Sequence, residues 1–71
     1  AIKLLENMIA SGNGGIFPYV ELAKVYEHRL KDPRQALYYT DQALSKTMES
    51  EQIQELMHRR KRLAEKSKRK A

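Results

Sequence analysis

The dipeptide Asp32-Pro33 is the feature that most limits how this chain can fold. Proline lacks an amide hydrogen and clashes with the preceding helical turn, so no regular helix runs through position 33, whereas proline fits the first turn of a new helix. Asp32 is suited to cap that helix, and Gln35 is placed to complete a capping box with it. The apolar positions on either side therefore belong to two separate helices.

Both of these helices show helical periodicity. One begins near Pro18 and should end near Lys31, and its apolar face contains Tyr19, Leu22, Ala23, Tyr26 and Leu30. The other, after Asp32, alternates small residues with leucines on its inner face: Ala36, Leu37, Thr40, Ala43 and Leu44. Small residues let two helices approach closely, so the sequence predicts an all-α fold built on an antiparallel helical hairpin.

Two further helices flank the hairpin. A partial helix over residues 2–10 precedes it and ends at the loop "SGNGG", whose glycines supply positive-φ positions. A capping helix begins at residues 47–50, with an apolar stripe of Ile53, Leu56, Met57, Leu63 and Ala64. Arg60 falls inside this stripe and must pair or extend toward water. No Gly or Pro separates the third and fourth helices, so one continuous helix remains an alternative.

We expect residues 1–64 to form one helical domain and residues 65–71 to form a frayed basic tail with nothing to bury. A chain of 71 residues buries only about 60% of its unfolded surface, so the core must be thin. The first residue is not Met, and Ile2, Leu5 and Ile9 already share a helical face, which predicts a fragment of a longer protein.

Charge is concentrated in the tail. Residues 1–57 hold six Lys/Arg and eight Asp/Glu, whereas residues 58–71 hold eight and one, so the parts carry −2 and +7 and sum to +5. There is no cysteine, which excludes disulfides and thiolate chemistry. No segment reaches the length of about 20 apolar residues that spans a bilayer. We therefore expect a soluble, cytoplasmic protein.

The second and third helices resemble a tetratricopeptide repeat. Tyr19, Leu22, Ala23 and Tyr26 match that family's first helix, and Ala36 and Ala43 match its second. Two departures stand out. Thr40 occupies a position where the family prefers an aromatic residue, and the spacing from Tyr26 to Ala36 is one residue longer than usual, so the turn "RLKDP" must absorb an insertion. The resemblance implies one repeat with a partial helix before it and a capping helix after it.

A narrower resemblance concerns the segment "ELAKVYEHRLKDPRQAL". It is similar to the helical C-terminal extension of some bacterial proteins whose main domain is ribonuclease-H-like, of the metal-dependent exonuclease type. In such a parent the catalytic carboxylates lie upstream, so no nuclease residue is assigned to this chain.

The tetratricopeptide resemblance also implies a partner-binding face. The first helix of each repeat lines the concave groove of such arrays, which makes the candidate groove residues Val20, Glu21, Lys24, Glu27 and His28. Their mixed charge argues against that family's carboxylate clamp. His28 is alternatively an ordinary solvated residue. Of the tyrosine pair, Tyr39 should pack at the edge of the hairpin, and Tyr38 should point outward as a possible partner contact.

The basic end has three explanations. Its cations complement the C-terminal dipole of a solvated helix end, or they contact phosphates of nucleic acid weakly and without sequence preference. The third explanation is contact with an anionic membrane, which the scarcity of apolar residues in this segment disfavours. The candidate nucleic-acid contacts are Arg59, Arg60, Arg62, Lys66, Lys68, Arg69 and Lys70.

No cofactor or metal is expected. Glu55 and His58 have the Glu-x-x-His spacing of di-iron helices, but a second copy and further carboxylates are missing. The chain is thus predicted to be a non-catalytic interaction module, with a nucleic-acid-contacting appendix as the alternative. Its partner would be a protein or the parent's own domain. Self-association in isolation is also expected, because a single repeat leaves apolar faces at its ends.

Overall fold

The computed structural model describes residues 2–12 and 14–69 of the chain. Four helices follow one another, α1 (Ile2–Ser11), α2 (Phe17–His28), α3 (Pro33–Lys46) and α4 (Ser50–Arg69), and no strand occurs in this part of the chain. Each helix packs against the next one: α1 on α2, α2 on α3, and α3 on α4. The predicted all-α fold with a central helical hairpin is confirmed. None of the described helices is long and apolar enough to cross a membrane.

Glycines end α1 and set the entry into α2. Gly12 has φ 76° and donates its N–H to the carbonyl of Ile9 at 3.1 Å. Gly14 has φ 85°, and a Cβ atom there would lie 2.9 Å from the terminal methyl of Met8 and 3.3 Å from the Pro18 ring. Both a left-handed backbone and a close approach therefore require glycine at position 14.

Residues 29–32 form the turn between α2 and α3. Helix α2 ends at His28, three residues earlier than expected. Leu30 N–H then bonds to the carbonyl of Val25 at 3.1 Å, and Asp32 N–H bonds to that of Tyr26 at 2.7 Å, while Lys31 adopts φ 52°. Because the helix has already ended, Leu30 leaves the packing face predicted for it and is 51% exposed.

Small side chains dominate the contact between α2 and α3. Ala36, Thr40 and Ala43 are fully buried on α3, which packs against α2, where Leu22 and Ala23 are fully buried as well. The Thr40 hydroxyl donates a 2.8 Å hydrogen bond to the carbonyl of Ala36, so this buried polar group is satisfied within its own helix. The predicted inner face of the hairpin is confirmed at these positions.

The aromatic residues lie at the edge of the same hairpin. Tyr39 stacks on Tyr26 with ring centroids 5.6 Å apart, and Tyr38 meets Tyr39 edge-on at 5.1 Å. Tyr38 remains 55% exposed. The predictions that Tyr39 packs and that Tyr38 points outward are both confirmed.

Helices α3 and α4 are separate. Residues 47–49 are not helical, and the Thr47 hydroxyl accepts the N–H of Glu49 at 3.3 Å and donates to the side chain of Gln52. The alternative of one continuous helix is therefore wrong. The Arg60 guanidinium pairs with Asp41 of α3 at 2.6 Å, as its position inside the apolar stripe required.

The structure differs from the prediction along α4. Leu56 and Leu63 face the core, whereas Ile53 is 36% exposed and Met57 is 52% exposed, so only two of the five predicted stripe residues are buried. Residues 65–69, expected to fray, continue the helix. Residues 70 and 71 lie outside the described part of the chain.

The resulting domain is thin. It measures 35 × 28 × 14 Å, and no residue of α1 is buried. Half of its buried apolar core residues are alanines, since the core consists of Leu22, Ala23, Ala36, Ala43, Leu56 and Leu63. Interactions other than a deep apolar core must therefore help to hold the helices in place.

Asp32 provides the first testable contribution. Its carboxylate accepts the N–H of Gln35 at 3.3 Å and so caps α3. We expect Asp32→Ala to lower the free energy of unfolding by about 1 kcal/mol, because an amide at the helix start loses its partner. Urea denaturation measures this loss. Asp32→Asn, which keeps an acceptor oxygen, serves as the control, and equal losses in both variants would contradict the capping role.

Candidate functional site

The most unusual side chain in the structure is Glu27, near the end of α2. Its side chain is 1% exposed, although carboxylates are rarely buried unless they are paired. Three cations of α4 surround it. Arg59 Nη1 donates to Oε1 at 2.8 Å, Arg62 donates from Nε to Oε2 at 2.9 Å and from Nη2 to Oε1 at 3.0 Å, and Lys66 Nζ donates to Oε2 at 3.0 Å. We call these four residues the Glu27 cluster.

Helical spacing explains how one carboxylate meets three cations. Arg59, Arg62 and Lys66 are separated by three and four residues, so they lie in one row along α4. Glu27 follows Ala23 by one helical turn and thus shares the face of α2 that turns inward. Arg62 binds both carboxylate oxygens through its planar fork, a geometry that fixes orientation as well as charge.

The cluster controls the ionisation of Glu27. Burial by itself would raise the pKa of this carboxyl, but hydrogen bonds and positive charge from Arg62 and Lys66 outweigh burial and lower the pKa from 4.5 to about 2. The same hydrogen bond from Glu27 raises the pKa of Arg62. His28 Nε2 lies 3.6 Å from Glu27 Oε1 at the exposed edge. Glu27 is therefore charged throughout the physiological range.

Positive charge exceeds negative charge in the cluster by two, since three cations share one carboxylate. Arg59 is 19% exposed, and Arg62 and Lys66 are each 48% exposed. Arg62 and Lys66 therefore bind Glu27 while about half of each side chain stays open to solvent. The cluster thus ties α4 to α2 and also presents fixed positive charge at the surface.

A groove of about 220 Å³ runs beside the cluster. We call it the α2/α4 groove because side chains of these two helices and of the turn before α2 form its walls. Its apolar part consists of Ile16, Val20 and Leu56, and its polar rim consists of Lys24, Gln52, Glu55 and Arg59. Arg59 belongs to both features, so the cluster fixes one wall of the groove.

The residues predicted for the partner-binding face separate in the structure. Val20 and Lys24 line the α2/α4 groove, and Glu21 lies beside it, paired with Lys24 at 3.3 Å. Glu27 is buried in the cluster rather than presented to a partner. The His28 side chain is 64% exposed. Tyr38 lies on α3 and is not among the residues that line this groove.

The predicted nucleic-acid contacts separate as well. Arg59, Arg62 and Lys66 join the Glu27 cluster, and Arg60 pairs with Asp41 on α3. Lys68 is exposed near the end of α4, where Arg69 is the last helical residue, and Lys70 lies outside the described residues. Arg59, Arg60, Arg62 and Lys66, which have ion-pair partners on other helices, are therefore not a single free phosphate-binding surface.

Sequence reasoning missed the pairing of Glu27 with α4 and the contributions of Ile16, Gln52, Glu55 and Leu56 to the groove. A signal for the pairing was present, since Glu27 occurs one turn after the inward-facing Ala23 and is followed in α4 by a row of three cations. The groove residues had no such signal, because they become neighbours only when α4 packs beside α2. Among the described residues, no group of three His, Cys, Asp or Glu could hold a metal ion.

Replacing Glu27 tests the structural role of the cluster. We expect Glu27→Gln to lower the free energy of unfolding by about 1.5–3 kcal/mol at neutral pH, because the charged hydrogen bonds to the arginines and lysine are lost. Glu21→Gln, on the same helix with an exposed partner, is the matched control and should stay within about 0.5 kcal/mol of the wild type. Denaturation of both variants distinguishes these values, and equal losses would contradict the role.

The difference in unfolding free energy between the wild type and Glu27→Gln should depend on pH. Because the folded pKa of Glu27 is lowered, its stabilisation is complete above pH 4.5 and is lost as pH falls toward about 2. The difference in unfolding free energy between wild type and Glu27→Gln should therefore shrink across this interval. A difference that stays constant from neutral pH to pH 2 would show that the cluster does not hold Glu27 ionised.

No family model, no curated protein and no solved structure matches the chain. What the protein does is therefore inferred from its own residues and their arrangement.

Proposed function

We propose that this chain is a non-catalytic interaction module of the tetratricopeptide-repeat type, which binds a segment of a partner protein or of a neighbouring domain in the α2/α4 groove. The observation that carries the proposal is the composition of that groove. An apolar part of Ile16, Val20 and Leu56 is bordered by charged groups of both signs. Such a combination of a small apolar surface with a polar rim is typical of peptide and protein recognition sites.

The Glu27 cluster supports this proposal by making the groove rigid. Recognition costs less when the binding surface is already ordered, because fewer side chains lose freedom on binding. Arg59 is held by Glu27 at 2.8 Å and is only 19% exposed, so it presents its remaining N–H groups in a fixed position at the rim. Lys24 on the opposite wall is steadied by Glu21 at 3.3 Å.

The groove proposal can be tested with a random 12-residue peptide library displayed on phage. We expect selected peptides to shift the backbone amide resonances of the groove residues in α2 and α4. Val20→Gln should weaken their binding at least about tenfold, because about 1.4 kcal/mol of apolar contact is lost. Leu4→Gln changes an exposed residue of α1 in the same way and is the control. Peptides that bind elsewhere, or that bind Val20→Gln equally well, would contradict the groove.

A second candidate function, contact with nucleic acid, is favoured by the surplus positive charge of α4. The Glu27 cluster has two more positive than negative charges, and Lys61 and Lys68 are exposed without an ion pair inside the described residues. Lys61 was not among the residues predicted for this role. Binding would depend on phosphate contacts, so it would be weak, insensitive to base sequence and strongly reduced by salt.

The nucleic-acid candidate needs variants that leave the fold intact. Reversing the charges of Arg59 and Arg62, or deleting residues 64–71, would break the Glu27 cluster and confuse binding with unfolding. We expect Lys61→Gln/Lys68→Gln to reduce the slope of log K against log salt for a 20-base-pair duplex by up to about 1.8, since two phosphate contacts are lost. The control variant Lys3→Gln/Arg34→Gln removes the same two positive charges from α1 and α3. Equal slopes in both double variants would exclude Lys61 and Lys68 as phosphate contacts.

A further inference from the structure

Helix α4 presents a second surface, on the side away from the α2/α4 groove. Ile53, Met57 and Ala64 lie there at spacings of four and seven residues, and we call them the α4 outer stripe. Ile53 is 36% exposed and Met57 is 52% exposed. Together with the side chains of Arg60, Lys61 and Lys68, they border a shallow groove of about 660 Å³. No other helix of the described chain contributes to it.

The stripe exists because the apolar face of α4 is wider than its neighbours can cover. Leu56 and Leu63 are buried against the rest of the domain, and the ion pair between Arg60 and Asp41 marks the edge of the contact with α3. Beyond that edge the apolar face continues into water. A helix that packs on only one side needs a narrower apolar face than α4 has. The exposed part of this face is therefore available to a further helix.

Charges around the stripe indicate what that helix would look like. The residues that border the groove include three cations, Arg60, Lys61 and Lys68, and one acid, Glu65. Arg60 is already paired with Asp41, whereas Lys61 and Lys68 have no ion pair within the described residues. Two lysines beside an apolar strip favour a partner with apolar residues in the centre and carboxylates at its edge.

A second copy of the chain fits this surface poorly. Pairing two α4 outer stripes would bring the two unpaired lysines of each copy, Lys61 and Lys68, into one contact with only one acid per copy. Like charges at an interface cost free energy, and the chain as a whole carries +5. The self-association expected from the sequence is therefore disfavoured on this face.

We propose that the α4 outer stripe is a docking surface for an acidic amphipathic helix of a partner protein. Its apolar residues pack on Ile53, Met57 and Ala64, and its glutamates or aspartates pair with Lys61 and Lys68. This surface is separate from the α2/α4 groove, so the inference does not depend on the function proposed above.

The probe for this surface is a synthetic 18-residue helical peptide with leucines on one face and glutamates along both edges. A second peptide has lysine in place of every glutamate. We expect the acidic peptide to bind with micromolar affinity by fluorescence anisotropy and to shift the amide resonances of residues 53–68. The basic peptide should bind at least tenfold more weakly. Equal binding of the two peptides would overturn the charge argument.

Three variants locate the contact. Ile53→Gln/Met57→Gln should weaken binding of the acidic peptide at least tenfold, and Met48→Gln should not, because Met48 is 95% exposed outside the stripe. Lys61→Glu/Lys68→Glu should weaken the acidic peptide and strengthen the basic one, a reversal that loss of folding cannot produce. Absence of that reversal would overturn the proposal.

Two outcomes separate this proposal from its alternatives. Val20→Gln should bind the acidic peptide as tightly as the wild type does. If Val20→Gln weakens binding as much as Ile53→Gln/Met57→Gln does, the peptide binds in the α2/α4 groove. That result would overturn the outer-stripe proposal and leave the groove proposal standing. Sedimentation without peptide should show no dimer that forms through the α4 outer stripe, that is, no dimer that is lost in the Ile53→Gln/Met57→Gln variant. Such a dimer would assign the stripe to a second copy instead.

Discussion

The ion cluster around Glu27 is the interaction on which the position of α4 relative to α2 depends. Helix α4 packs mainly on α3, with Leu56 and Leu63 buried and Arg60 paired to Asp41. These contacts place α4 against α3 but do not connect it to α2. Four hydrogen bonds from Arg59, Arg62 and Lys66 to one buried carboxylate fix both the rotation of α4 and its distance from α2.

Both candidate surfaces follow from this fixed position. One side of α4 closes the α2/α4 groove, with Arg59 at its rim, and the other side leaves Ile53 and Met57 open to solvent. A rotation of α4 by one residue position, about 100°, would bury the outer stripe and remove Arg59 from the groove. The cluster therefore determines which side chains of α4 are available to partners and which serve the fold.

Local signals in the sequence predicted the helices but not their mutual arrangement. The cap at Asp32 depends on Gln35, three residues away, and the small inner face of α3 depends on spacing within one helix; both predictions are confirmed. The burial of Glu27 depends on cations 32 to 39 positions away, so periodicity could not predict it. The same reason explains why Ile53 and Met57 of the α4 stripe are exposed and why residues 65–69 stay helical. Lys66 has a partner on α2, and that partner holds the last turns in place.

The sharing of one carboxylate among three cations gives the cluster an uneven tolerance to sequence change. Arg59, Arg62 and Lys66 are partly redundant, because the loss of any one still leaves Glu27 with two cationic partners. Glu27 has no substitute of this kind. Replacement of one cation on α4 would therefore change the charge that the helix presents to solvent and still leave Glu27 paired, whereas a neutral residue at position 27 would leave all three cations without their carboxylate. The stability of the contact thus depends more on one residue of α2 than on any single residue of α4.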